Sequence, residues 1–162
     1  MMRKASVLWT GGAGDGRGTM TTESGVLKQT RYSSGTPLRK SLGTNPAELI
    51  AAAHASSFSI ALANELGVAG FVPSHIATIA TVTLERLAAG WTMTRINLEV
   101  LAEVPKAAQS DFIDATLRAK TGCLISRVLR ATISMNAKLE SNAPAVPRPR
   151  PPSQNHRQPA RS

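Results

Sequence analysis

Among 162 residues there is one cysteine, Cys123, and aromatic residues make up only 4%. A single thiol excludes an intrachain disulfide and any zinc site built on several cysteines. The three histidines, His54, His75 and His156, are too few and too scattered in sequence to suggest a metal cluster. There is no run of eighteen apolar residues, so no membrane-spanning helix is expected. The opening MMRKASVLWTGG lacks the apolar core of a signal peptide. With one free thiol, the expectation is a cytoplasmic protein in a reducing compartment. The glycine-rich stretch Thr10–Gly18 lacks the GK[ST] ending of a phosphate loop, and no G-x-G-x-x-G precedes a helix. It reads as a connector between two strands.

Hydrophobic residues make up 42%, enough for one domain with a real core. The net charge of +9 invites a nucleic-acid reading, but its placement argues otherwise. Residues 47–140 carry eight basic and eight acidic residues, so the excess sits in residues 1–46 and in the tail. The two tryptophans and three phenylalanines interleave with no basic stripe and read as core or interface, not as stacking platforms for bases. No nucleic-acid or membrane partner is expected. Residues 141–162 hold four arginines, six of the ten prolines and almost nothing apolar larger than alanine. That composition cannot offset its ordering entropy and predicts a disordered basic Pro/Arg-rich tail after a domain over 1–140. The tail reads as passive; short Pro-Arg motifs are weak grounds for a partner site.

Periodicity predicts a strand over 3–10, then a hairpin of 18–22 and 25–30 turning at Ser24-Gly25, with 31–43 irregular. Asn45 and Pro46 open a helix running to about Leu66 and stopping at Gly67. Its inner face is read as Leu49, Ile50, Ala53, Ser57, Ala61, Leu62 and Leu66, and its near-absence of charge predicts burial on most sides. Two alternating strands follow, around Ala80–Glu85 and Thr94–Ala102. A helix over 110–120 presents Phe112, Ala115, Thr116 and Ala119, a short helix runs from Cys123 to about Leu129, and a last strand spans Ala131–Leu139. This is an α+β domain with antiparallel sheets packed on helices. A subunit interface would explain so apolar a central helix.

The segments KASVLWTGG, GTMTTESGVLKQTRYS, GTNPAELIAAAHASSFSIALANELGVAGF, ATVTLERLAAGWTMTRINLEVLAEVP and KTGCLISRVL together resemble the OsmC/Ohr family (osmotically inducible protein C and organic hydroperoxide resistance proteins), most closely its OsmC branch. The resemblance implies an intertwined homodimer with two long central helices. It implies reduction of organic hydroperoxides by a cysteine pair and an external thiol or dithiol reductant, with no cofactor and no metal. It also places the attacking cysteine at Ser57, the assisting glutamate at Ala47 with Glu48 one residue on, the assisting arginine at Pro37 with Arg39 nearby, and the second cysteine at Cys123. A serine oxygen cannot run a sulfenic–disulfide cycle. The function expected is therefore a peroxide reductase of oxidative and osmotic stress defence, weakened at Ser57. The alternative is a catalytically inactive dimeric binding or interaction protein. A Ser57–His54 hydrolase is set aside because no G-x-S-x-G elbow exists.

Overall fold

The computed structural model describes residues 1–12, 14–34 and 43–140. The tail at 141–162, Pro37 and Arg39 lie outside the described residues. Strands β1 (Ala5–Thr10), β2 (Arg17–Thr22) and β3 (Thr30–Tyr32) form an antiparallel sheet in that order. The glycine-rich stretch does connect two strands, Thr10 pairing with Arg17. Gly18 sits over the Tyr32 ring, where any added Cβ would overlap it, and Tyr32 packs on Trp9 at 5.6 Å between centroids. The hairpin expected over 25–30 does not form. The hydroxyls of Thr22 and Thr21 instead accept from the N–H groups of Leu27 and Gln29, and the strand returns only at Thr30. Hydroxyl side chains beside a turn compete with the ladder in this way.

Helix α1 (Pro46–Val68) starts as its sequence dictates. Asn45 Oδ1 accepts from the Glu48 N–H at 3.0 Å, with Pro46 in the first turn. Such a cap contributes about 1 kcal/mol. The helix passes through Gly67 and ends at Gly70, whose φ of 86° lets the Phe71 N–H return to the Leu66 carbonyl. Its buried row is His54, Phe58, Leu62 and Leu66, a strict four-residue spacing. The face expected through Ser57 is thus rotated: Ala53 is exposed and Ser57 only half-buried. Apolar residues surround this helix on all sides, so spacing alone gives no direction.

Strands β4 (His75–Leu87) and β5 (Gly90–Glu103) form a long antiparallel hairpin, helix α2 (Gln109–Gly122) and the short α3 (Leu124–Val128) follow, and β6 (Thr132–Leu139) lies beside β5. The class is α+β, as expected. However, β6 runs parallel to β5, so the second sheet is mixed, because the chain crosses over through α2 and α3 before returning. From β5, Ile96, Leu98, Val100 and Ala102 point into a core with Phe58, Leu62, Leu66, Phe112, Ala115, Ala119 and Cys123. The face expected for α2, Phe112, Ala115, Thr116 and Ala119, is the one buried. Among the described residues, no helix is long and apolar enough to cross a membrane.

Among the described residues, the β1–β3 sheet joins this body at Thr44. Tyr32 bridges to Thr44, the Ser33 N–H donates to the Thr44 carbonyl, and the Thr44 N–H donates to the Arg31 carbonyl. Val7 and Leu8 remain exposed.

A buried thiol between two serines

Cys123 sits where α2 ends and α3 begins, its N–H closing on the Ala119 carbonyl at 2.8 Å. Its side chain is 1% exposed. α1 crosses beside it, fixed to α2 by an Arg118 Nε–Glu65 Oε2 bond of 2.9 Å and to β4 by the Ser59–Thr78 hydroxyl pair at 2.8 Å. That crossing brings Ser57 to Cys123, the thiol donating to Ser57 Oγ at 3.3 Å. The two positions read from sequence, 66 residues apart, are therefore neighbours.

The surroundings of the sulfur ease its ionisation. Burial pushes the Cys123 thiol up, but the Ser57 hydroxyl, the N–H and hydroxyl of Ser126 and the Ile125 N–H together outweigh it. The thiol therefore ionises below its ordinary value.

His54 lies in the same cluster, fully buried, but it does not serve Ser57. Its Nε2 is 2.9 Å from Ser126 Oγ, and its Nδ1 has no partner among the described residues. Burial holds its imidazole below the ordinary histidine value. A Ser57–His54 dyad is thus absent from this geometry. Ser126 is the residue that sequence reasoning passed over. Its signal was its place in Gly-Cys-Leu-Ile-Ser126, three residues past the thiol and one helical turn on.

Ala47 carries no polar group, and the Glu48 carboxylate accepts from the Thr44 hydroxyl at 3.0 Å. A second cluster joins residues that sequence had scattered. His75, Glu103 and Glu140 form a row across β4, β5 and the end of β6, with ring nitrogens 3.5 Å from Glu103 Oε2 and 2.9 Å from Glu140 Oε2. The carboxylates face opposite nitrogens of the ring, which suits an imidazole bridging two acids better than one cation facing all three. All three side chains are well exposed, where such pairs contribute about 0–1 kcal/mol.

A mixed sheet with two helices on one face and an ionisable thiol buried beneath them defines an α+β thiol protein. The family model for OsmC-like protein matches residues 39–138. The chain is 44% identical over 139 residues to the peroxiredoxin OsmC of Escherichia coli K12, spanning 86% of this chain and 97% of that one. Among solved structures, an OsmC-like protein of unknown function from Vibrio cholerae superposes with a TM-score of 0.70 at 14% identity, covering 85% of this chain and 99% of the other. The organic hydroperoxide resistance protein OhrB of Bacillus subtilis gives a TM-score of 0.58 at 20% identity, covering 85% and 98%. The chain belongs to the OsmC-like family.

Proposed function

We propose that this chain is a peroxide-defence protein that reduces organic hydroperoxides through Cys123, with an external thiol or dithiol as reductant. The observation that carries the reading is the approach of the one thiol, Cys123, to Ser57 Oγ at 3.3 Å, with hydrogen bonding that lets the thiol ionise below its ordinary value. The relative named a peroxiredoxin supports the substrate class. The Cys123 thiolate attacks the hydroxyl-bearing oxygen of ROOH. The O–O bond breaks, the sulfur becomes a sulfenic acid, and the departing alkoxide takes the proton the thiol gave up. One external thiol then displaces water to form a mixed disulfide. A second releases Cys123 and leaves as the oxidised reductant. Ser57 donates a hydrogen bond to the thiolate but offers no sulfur to close a disulfide, so resolution depends on the external thiol and the cycle is weakened. The alternative is a catalytically inactive dimeric binding or interaction protein, in which Cys123 would be an inert core thiol; the ionisation of that thiol below its ordinary value supports the first reading over it.

The working unit is a homodimer of the domain over 1–140, carrying the basic tail 141–162, in the cytoplasm. Supporting the dimer, α1 turns Ala53, Ser56, Ile60 and Val68 outward, with Ile60 72% and Val68 78% exposed on an otherwise apolar helix.

The test is consumption of tert-butyl hydroperoxide by the purified chain with dithiothreitol, with light scattering on the same sample. Turnover should vanish in Cys123→Ala, and the mass should be that of two chains. Equal turnover in Cys123→Ala would remove the mechanism; a monomer would remove the assembly.

A further inference from the structure

Peroxide and an external thiol must both reach a sulfur that is 1% exposed. The segment that begins at this sulfur is lightly held. α3 has five residues and buries none of them fully. Leu124 and Val128 are 65% and 66% exposed, while Ile125 packs on the core. Both flanking residues are non-helical, with ψ of 125° at Cys123 and 140° at Leu129. Rotation at these two residues would swing the whole turn.

Among the described residues, two side-chain hydrogen bonds tie this segment to α1. They join His54 to Ser126 and Ser57 to Cys123, as two rungs three residues apart on either side. The Ser57 rung is 3.3 Å long and its thiol is a weak donor. The His54 rung is 2.9 Å, and its ring is fully buried. Burial also keeps that ring neutral. Nδ1 has no partner among the described residues, so a proton there would be an unsatisfied buried N–H. The proton therefore sits on Nε2 and is donated to Ser126 Oγ.

We propose that His54 is the latch of a lid: its bond to Ser126 holds α3 against α1, and Cys123 becomes reachable when that bond opens and α3 swings. The inference rests on the reading of Cys123 as the reacting thiol, and it gives the external thiol its entry. Such an opening is a local event that leaves the rest of the core shut.

Access is read without turnover, from the rate at which iodoacetamide alkylates Cys123 in the full-length chain. Cys123 is the only thiol, so the signal has one source. Rates are followed up to the pH plateau where the sulfur is fully ionised, so the plateau reports access and the midpoint reports ionisation. Ser126→Ala and His54→Ala should each raise the plateau about threefold or more, as loss of one such bond allows. The double variant should react no faster than the faster single one, because both remove the same bond. Ser126→Thr, which keeps the hydroxyl, should stay near the parent. Val104→Ala controls for general loosening. Val104 is buried but precedes α2, whose fourteen residues put about 21 Å between it and Cys123. Its plateau should match the parent's. Ser126 is only half-buried, so Ser126→Ala tests the bond without emptying the core. A Ser126→Ala plateau equal to the parent's would overturn the proposal. So would additive acceleration in the double variant, or a Ser126→Thr or Val104→Ala rate as high as that of Ser126→Ala. Absent turnover with these rates as expected would instead remove the peroxidase reading and leave the latch standing.

Discussion

A Ser57→Cys variant is expected to change how the oxidised state of this protein is resolved. Ser57 Oγ lies 3.3 Å from the Cys123 sulfur, so a second sulfur at this position faces the first directly. A sulfenic acid formed on either thiol would then be captured within the chain instead of waiting for an external thiol. Conversion of a bimolecular step to an intramolecular one supports a gain of roughly tenfold or more in turnover at low reductant. The second readout is chemical. Under excess peroxide with no reductant, Cys123 of the parent should climb to sulfinic and sulfonic acid, while the variant should stop at a disulfide two hydrogens lighter. Mass spectrometry separates these products. A variant that still accumulates sulfinic acid and gains no turnover would mean that the sulfurs at positions 57 and 123 do not meet, and would overturn this expectation.

The largest loss of stability is expected at the residue after Ser57. Phe58 is fully buried in the row that seats α1 on the core. Truncation to alanine removes its transfer energy and leaves a cavity, at a cost of about 3–5 kcal/mol. Domains of this kind have about 5–15 kcal/mol in total, so Phe58→Ala should drop the urea midpoint by a large fraction. The exposed Ile60, two residues on, should cost the isolated chain far less when shortened. Equal effects at the two positions would mean that Ile60 is covered as well, by a partner chain or by another seating of α1.

The strands of the second sheet and the inner face of α2 were legible because alternation and three- to four-residue spacing separate apolar from polar residues there. α1 was legible in extent but not in orientation: alanines and serines surround it, so only the packed structure selects His54, Phe58, Leu62 and Leu66. The parallel course of β6 has no local signal, since strand direction depends on the path through α2 and α3. The pairing of positions 57 and 123 came from resemblance to a family. The Ser126–His54 contact did not, because a bond between residues 72 apart leaves no periodic trace. The turn after Ser24 misled for a local reason, the threonine hydroxyls that take over its N–H groups.

The join at Thr44 between the β1–β3 sheet and the other described strands bears on how the molecule breathes. Three short strands with Val7 and Leu8 facing water have, among the described residues, the join at Thr44 to hold them. In a separated chain this sheet would be a low-stability cooperative unit, opening and reclosing while the sheet of β4–β6 stays shut. Amide protons of Val7 and Met20 would then exchange with solvent well before those of Leu98 and Val100. Covering that sheet would close this gap in protection without altering a single contact around Cys123.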